Sequence, residues 1–145
     1  MSATPKKSKA ATAASRAPYR PAHLGKRSSK PVTQVDRIPW NGGSIVIELE
    51  CDEFTSLCPV TAQPDFGTVT VRYAPGRWLV ETKSLKLYLW HFRDRGVFNE
   101  ALITEIADDL LGQLDPDWIE VTGDFHSRGG IAIHATARRE APCPF

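Results

Sequence analysis

The sequence predicts an α+β domain in which two strand pairs flank two helices, in the order ββααββ. Three observations support this class. Apolar and polar residues alternate at both ends of the domain, apolar residues recur at helical spacing in its middle, and Gly, Pro and Asp mark the junctions. A chain of 145 residues with 41% hydrophobic content can bury one core but not two, so we expect a single folded domain.

The first strand pair is predicted from two alternating runs, GSIVIELE at 43–50 and FGTVTVRY at 66–73, the second rich in β-branched residues. Between them, FTSLCPVTAQPD at 54–65 contains two prolines and predicts a long loop. Loops held between rigid strands often carry functional side chains. A short strand, WLVE at 78–81, follows an Ala-Pro-Gly turn.

The two helices are predicted from apolar residues three or four positions apart. In the first helix Leu85, Leu89 and Phe92 share one face, and the helix is expected to end near Gly96. The second is expected over 98–114, where Asp-Pro closes it. Its apolar stripe consists of Phe98, Leu102, Ile106, Leu110 and Leu114.

The second hairpin is predicted from WIEVTGDF at 118–125 and IAIHATA at 131–137, joined by a turn at 127–130. The strands are expected to form one antiparallel sheet of four strands with both helices on one face. Such a sheet leaves two unpaired edges, which proteins relieve by pairing edges or closing barrels. We therefore expect a homo-oligomer.

Residues 1–34 are predicted to form a disordered basic tail, and residues 35–145 the folded domain. No acidic residue precedes Asp36 and the first 31 residues hold eight Lys or Arg, so this stretch carries about +8 and the remainder about −7. It offers too little apolar surface to offset the entropy of ordering. Clustered cations can bind nucleic acid or an acidic partner, but we favour a solubilising tail without a partner.

The sequence contains no run that is apolar for long enough to cross a membrane and no secretory signal, and prolines interrupt any amphipathic transit helix, so we expect a cytoplasmic protein. The cysteines Cys51, Cys58 and Cys143 are odd in number and match no zinc-binding spacing. We therefore expect neither a disulfide framework nor a metal. No role is assigned to Cys51 or Cys143.

Cys58 and Asp65 are the first candidates for chemistry, because both lie in the predicted 54–65 loop. A thiol attacks only as thiolate, so it needs a lowered pKa or a base, and a nearby carboxylate can carry protons. An inert cysteine is the alternative.

Lys83 and Lys86 share a face at the start of the first helix, where free backbone N–H groups would favour a phosphate. Solvated helix lysines are the alternative here. The sequence has neither GxGxxG nor GxxxxGK[ST], so no Rossmann or P-loop site is predicted.

Two stretches, FTSLCPVTAQPD at 54–65 and ETKSLKLYLWHFRDRGVFNE at 81–100, resemble the short, single-domain type of bacterial NADPH-dependent 7-cyano-7-deazaguanine reductases of queuosine biosynthesis, the QueF family. Residues 81–88 match a characteristic stretch of the family. That stretch reads Glu, then Ser or Leu, then Lys, then Ser or Ala, then an apolar residue, then Lys, then Leu or Tyr, and finally an aromatic residue. Only Thr82 departs from it, and it keeps a hydroxyl. The resemblance covers roughly residues 43 to 134.

The resemblance implies an oxidoreductase that uses NADPH to reduce the nitrile of 7-cyano-7-deazaguanine to 7-aminomethyl-7-deazaguanine, for tRNA modification. Cys58 would attack the nitrile carbon to form a thioimide, and Asp65 would supply and accept the proton. Glu100 would hold the guanine-like edge, whose N–H donors suit a bidentate acceptor. The implied substrate-binding residues are Val80, Glu81, Thr82, Asn99 and Glu100. The implied cofactor-binding residues are Lys83, Lys86, Arg128 and Gly129.

The resemblance also implies the tunnelling fold, or T-fold, whose ββααββ units oligomerise into barrels with active sites between subunits. For the short type, the resemblance implies an assembly of two stacked pentameric rings. One departure concerns Asn99, because the family usually has His before the substrate-binding Glu. Asn forms hydrogen bonds but cannot become cationic, so we expect base recognition to survive and affinity or pH dependence to change.

Two alternatives stay open. A sister group of the same fold adds an amine to the nitrile without redox chemistry, and it resembles the reductases around Cys58 and Asp65 but lacks the paired-lysine stretch, here Lys83 and Lys86. The other alternative is a non-catalytic purine- or RNA-binding module that binds through its basic tail. Retention of both Cys58 and Asp65 argues against the second.

Overall fold

Residues 18–142 are described by a computed structural model. Residues 1–17 of the predicted tail, and Cys143, lie outside the described residues. The elements are β1 (Arg37–Pro39), β2 (Ile47–Leu57), β3 (Pro64–Ala74), β4 (Trp78–Val80), α1 (Thr82–Trp90), α2 (Asn99–Leu114), β5 (Trp118–Arg128) and β6 (Ile131–Glu140).

The four long strands form one antiparallel sheet in the order β2-β3-β5-β6, as the alternation predicted. β1 and β4 form a separate two-stranded antiparallel sheet. β1 was not predicted, because three residues are too few to display an alternating pattern. The α+β class with a four-stranded sheet and two helices is therefore confirmed.

One hydrophobic core joins the helices to a single face of the sheet. Val69, Val71 and Tyr73 alternate along β3 and are buried against this core, together with Ile119 and Val121 of β5. Most of the helical stripes predicted from spacing enter the same core, namely Leu85 and Leu89 of α1 and Leu102, Ile106, Leu110 and Leu114 of α2. Phe98 was predicted to join them, but it is 61% exposed because it precedes α2 as its N-cap. Both helices thus pack on one face, as expected.

The predicted loop at 54–65 is wrong at both ends. β2 continues to Leu57 and β3 begins at Pro64, so the connection spans only 58–63. Phe54 and Ser56 lie in the ladder and are buried. A proline is tolerated as the first residue of a strand, so Pro64 does not interrupt the sheet as the sequence interpretation assumed.

The first helix is also shorter than predicted, since α1 ends at Trp90 rather than near Gly96. The backbone N–H groups of residues 91–93 and of Arg95 donate to carbonyls three residues earlier, at 3.0 to 3.3 Å, so the chain continues as a series of turns. Phe92 stays buried in the core.

Residues 18–34 lie against the domain. The carboxylate of Asp36 accepts hydrogen bonds from the Tyr19 hydroxyl at 3.1 Å and from the N–H groups of residues 22–24 at 2.5 to 2.8 Å. Val32 N–H donates to the carbonyl of Leu87 at 3.2 Å. The division of the chain at residue 34 stays a prediction. Within residues 18–142, no helix is long and apolar enough to cross a membrane.

Candidate active site at one end of the sheet

A cleft of about 190 Å³ lies where β2, β3 and β5 meet the start of α2. Residues that stand far apart in the sequence line it together. Five of the predicted site residues are among them, namely Cys58, Asp65, Asn99, Glu100 and Arg128.

A β-bulge turns Cys58 towards this cleft. In β2 the partners of Cys51 and Phe54 are Val69 and Gly67, so three steps along β2 match two along β3. Before the bulge the odd-numbered Leu49 and Cys51 pack against the core; after it the even-numbered Phe54 and Ser56 do. The extra residue thus reverses which positions face the core, and Cys58 continues the new alternation.

A second bulge does the same for Arg128. In β5 the partners of Phe125 and Arg128 are Ile133 and Ile131, again three steps against two. Phe125 is buried on the core face, and the bulge returns Arg128 to that side. Arg128 Nη2 consequently lies 2.8 Å from Oδ1 of Asp65, and it also donates to the carbonyl of Pro64.

The loop that carries Cys58 is held by its own backbone. Cys58 N–H donates to the Gln63 carbonyl at 2.8 Å, and Ala62 N–H donates to the Cys58 carbonyl at 2.9 Å. Ala62 adopts a φ of 57°, a conformation that closes the turn at some cost for a residue with a side chain. The position of the thiol is therefore set by main-chain contacts.

The segment between the helices packs beside this loop. Leu57 N–H donates to the Arg95 carbonyl at 3.0 Å, and Val97 N–H donates to the Leu57 carbonyl at 3.1 Å. A Cβ added to Gly96 would lie 3.2 Å from Pro59 Cα, so glycine permits the close approach. This contact brings the start of α2 next to Cys58.

The surroundings of Cys58 favour the thiolate. The hydroxyl of Thr61 lowers the pKa of the Cys58 thiol most, followed by hydrogen bonds from the backbone of Thr61 and Val60; burial and the charge of Asp65 oppose them more weakly. A thiol with a lowered pKa is more often present as the reactive thiolate at neutral pH.

Asn99 and Glu100 form the helical wall of the cleft. Phe98 is the N-cap of α2 and provides no side-chain hydrogen bond to the first turn. Asn99 is buried, and its Oδ1 has no hydrogen-bond partner within residues 18–142. Glu100 is exposed. The wall therefore offers three side-chain oxygens as acceptors, one from Asn99 and two from Glu100.

The remaining predicted substrate residues, Val80, Glu81 and Thr82, do not line this cleft. Val80 N–H donates to the Tyr73 hydroxyl at 3.0 Å, and Glu81 N–H donates to the Asp36 carbonyl at 2.9 Å. These backbone donors are thus engaged inside the chain.

Most amides at the start of α1 are already engaged, contrary to the sequence interpretation. Glu81 is its N-cap, and its carboxylate accepts from the N–H groups of Lys83 at 3.0 Å and Ser84 at 2.8 Å. A phosphate near this helix would therefore meet lysine side chains rather than the helix terminus.

The two predicted cofactor lysines differ in their surroundings. Lys83 Nζ donates to the His23 carbonyl at 3.1 Å and to the carbonyl of Lys26, so the segment before β1 covers it. Lys86 is exposed and forms no ion pair within the described part of the chain. Gly129 sits in the β5–β6 turn with a φ of 57° and open space around it.

Sequence reasoning missed two buried polar residues, Asp36 and Ser56. Asp36 was noted only as the first acidic residue, and Ser56 was assigned to a loop. The only available signal for Ser56 was its position two residues before Cys58, and the bulge that turns both to one face leaves no mark in the hydrophobic pattern.

Comparisons with known proteins show the family of the chain. A family model described as QueF-like protein matches residues 64–143. The NADPH-dependent 7-cyano-7-deazaguanine reductase of Anaeromyxobacter dehalogenans (strain 2CP-C) is 56% identical over 100 residues, 69% of this chain and 82% of that protein. The protein of the same name from Helicobacter acinonychis (strain Sheeba) is 60% identical over 88 residues, 61% of this chain and 60% of that protein.

Among solved structures, the crystal structure of the archaeosine synthase QueF-Like in the apo form superposes with a TM-score of 0.61 and 20% sequence identity. The match covers 68% of this chain and 96% of that one. At this identity the likeness shows the fold alone. The family match and the relatives, together with the cleft that contains Cys58, lead to one conclusion: the chain belongs to the QueF-like protein family.

Proposed function

We propose that this chain reduces the nitrile of 7-cyano-7-deazaguanine to 7-aminomethyl-7-deazaguanine with NADPH, in the cytoplasm, as a step of queuosine tRNA modification. One observation carries the proposal: Cys58, Asp65 and Arg128 converge on one cleft through two separate bulges. Relatives that carry this activity in their names are 55 to 60% identical to the chain over 88 to 100 residues.

Cys58 is the nucleophile. Its sulfur bonds to the nitrile carbon, one π bond of the C≡N group breaks, and the proton that leaves the thiol is the one the nitrogen gains. The lowered thiol pKa supplies thiolate for this step. The product is a thioimide on Cys58, formed without net uptake of protons.

Asp65 relays that proton. As a carboxylate it accepts the thiol proton, and as an acid it donates to the nitrogen. Arg128, at 2.8 Å, stabilises the carboxylate form between turnovers. Asp65 is mostly buried, which limits its contact with bulk water.

The surface lysines fit a nicotinamide dinucleotide. Lys86 has an exposed ammonium without an ion pair in residues 18–142, and the Gly129 turn leaves open space, so phosphate charges can be met without displacing a partner. Lys83 would join them once its two carbonyl contacts are released. When bound, NADPH supplies hydride, and reduction of a nitrile to an amine requires two.

Asn99 and Glu100 hold the substrate base. The guanine-like edge donates N–H groups, and the exposed carboxylate of Glu100 can accept two of them. The buried Oδ1 of Asn99, unpaired among the described residues, accepts a further donor. Because Asn does not ionise near neutral pH, this contact is independent of pH.

The proposal includes a homo-oligomer of two stacked pentamers. Val80, Glu81 and Thr82 lie away from the Cys58 cleft, so a pocket built from both groups needs a second copy of the chain. Exposed apolar side chains at the rim, Phe98 at 61% and Ile131 at 72%, support burial against that copy. The edge strands β2 and β6 would close the barrel.

The test mixes the full chain with NADPH and 7-cyano-7-deazaguanine and follows nicotinamide absorbance and product mass. The proposal predicts two NADPH oxidised per amine formed, and no turnover by Cys58→Ala. Cys51→Ala is the matched control, since this thiol lies on β2 outside the cleft, and it should retain activity. A covalent substrate adduct without NADPH oxidation would instead favour amidine formation.

A further inference from the structure

A turn formed by residues 22–26 lies directly against the side chain of Lys83. Lys26 N–H donates to the His23 carbonyl at 3.1 Å and closes the turn, and Gly25 within it has a φ of 73°, a conformation that favours glycine. Lys83 Nζ donates to the His23 carbonyl at 3.1 Å and to the carbonyl of Lys26. The ammonium group that we assign to the cofactor therefore holds both ends of this turn.

The carboxylate of Asp36 holds the same turn through its N–H groups. Those of residues 22–24 donate to this carboxylate at 2.5 to 2.8 Å, and the Tyr19 hydroxyl donates to it at 3.1 Å. Asp36 is 2% exposed, whereas Lys83 is only half-buried. The contact to Asp36 is thus an enclosed anchor with four donors, and the contact to Lys83 is one that a ligand can reach.

The two contacts of Lys83 can be exchanged for contacts to a phosphate. Its acceptors in the turn are neutral carbonyls, and it forms no ion pair within residues 18–142. A phosphate oxygen is charged, so it is the stronger acceptor for an ammonium group. When the ammonium leaves, the His23 carbonyl keeps the N–H of Lys26, and the exposed Lys26 carbonyl can accept from water. The exchange therefore leaves no buried polar group without a partner.

We propose that the 22–26 turn is a latch that competes with NADPH for Lys83. Without cofactor the ammonium group holds the turn; with cofactor it bonds a phosphate, and Asp36 alone holds the turn. Coupling of this kind is reciprocal, so the turn weakens NADPH binding by the same factor by which NADPH loosens the turn. The inference rests on the proposed function, because that function assigns Lys83 to a cofactor phosphate.

The test measures the Kd of NADPH for the full chain by titration calorimetry, without the nitrile. Gly25→Ala adds a side chain at positive φ, where nothing lies within 4 Å, so it strains the turn without changing charge or making a clash. The Kd should fall about two- to fivefold, because a weaker turn competes less. Gly43→Ala is the matched control: its φ is 88° with equally open space, but it lies outside the turn, and its Kd should equal that of the wild type.

A double variant separates the latch from a merely structural turn. Lys83→Ala should weaken NADPH binding, since it removes the cation that bonds the phosphate. In that background Gly25→Ala should leave the Kd unchanged, because no ammonium group remains to be released. A turn that affects binding by another route would change the Kd by the same factor in both backgrounds, and that result would contradict the inference.

Hydrogen exchange gives a second measure. Saturating NADPH should speed exchange of the amides of residues 22–26 in the wild-type chain and leave it unchanged in Lys83→Ala. Slower exchange on adding NADPH overturns the inference, and so does a Gly25→Ala variant that binds NADPH no more tightly than the wild type.

Failure of the proposed function can be recognised separately. If the wild-type chain binds NADPH but does not oxidise it in the presence of the nitrile, the reductase proposal fails, while the Kd values and exchange rates still test the latch. If neither the wild-type chain nor Gly25→Ala binds NADPH, both proposals fall.

Discussion

Arg128 Nη2 lies 2.8 Å from Oδ1 of Asp65, although 63 positions separate the two residues in the sequence. The sheet register alone does not explain this pair, because Phe125 is the last regular partner of β3 at that end, opposite Gly67. The bulge between Phe125 and Arg128 turns the guanidinium back towards the core face. The irregular ends of two strands therefore create the site.

The lowered pKa of Cys58 depends first on the hydroxyl of Thr61. Thr61→Val removes this donor, so the pKa of the Cys58 thiol rises and less thiolate is present at neutral pH. The pH dependence of iodoacetamide alkylation should move to higher pH, with a several-fold lower rate at neutral pH. Thr61→Ser keeps the hydroxyl and should follow the wild type. Equal inflection points for Thr61→Val and wild type would contradict the assignment.

Lys86 is the exposed cation that we assign to a cofactor phosphate. Lys86→Ala should raise KM for NADPH roughly tenfold, the equivalent of about 1.4 kcal/mol, with little change in kcat or in the temperature of unfolding. Steady-state kinetics at fixed substrate concentration measure this. Arg77→Ala removes an exposed cation at the β3–β4 turn and is the control. An unchanged KM for Lys86→Ala would remove this residue from the cofactor site.

Asp36 anchors residues 18–34. Burial raises the pKa of its carboxyl group. Hydrogen bonds from the N–H groups of residues 22–24 and from the Tyr19 hydroxyl together lower that pKa by more, so it lies below the ordinary value. A carboxyl with a lowered folded-state pKa stabilises the fold above its unfolded pKa, and this contribution is lost as pH falls through the folded value.

Hydrogen exchange tests this anchor. Protection of the amides of residues 22–24 should persist at neutral pH and disappear in acid, and Asp36→Asn should lose much of it at every pH. Asp36→Ala should lower the free energy of unfolding by about 1 to 3 kcal/mol. The control is Asp117→Asn, since Asp117 is exposed. Persistent protection in Asp36→Asn would show that other contacts hold the segment.

Gly67 lies next to the site, where β3 meets β5. A Cβ at this position would lie 2.5 Å from the Asp124 carbonyl oxygen and 2.9 Å from Phe125 Cα, both backbone atoms. Gly67→Ala should therefore lower the free energy of unfolding by about 1 to 3 kcal/mol. Gly112 is the matched control: it lies in α2 with nothing within 4 Å, and Gly112→Ala should raise stability by up to about 1 kcal/mol. Chemical denaturation measures both.

Much of the fold was predictable because its signals are local. The stripe of Leu102, Ile106, Leu110 and Leu114 defines α2 through spacing within one helix, and Asp115 with Pro116 ends it. The alternation in β3 and β5 was equally clear. The loop at 54–65 was wrong because two prolines outweighed a pattern that a bulge interrupts, so Ser56 could not be assigned to the core face.

Local periodicity determined the order of the elements, and the motifs around Cys58 and at 81–88 determined the family and the candidate residues. Only the tertiary structure decided which of these residues meet. Cys58, Asp65 and Arg128 converge because each bulge reverses side-chain direction, whereas Glu81 caps α1 and Lys83 lies beneath residues that precede β1. Such contacts join distant parts of the chain, and no pattern within one segment encodes them.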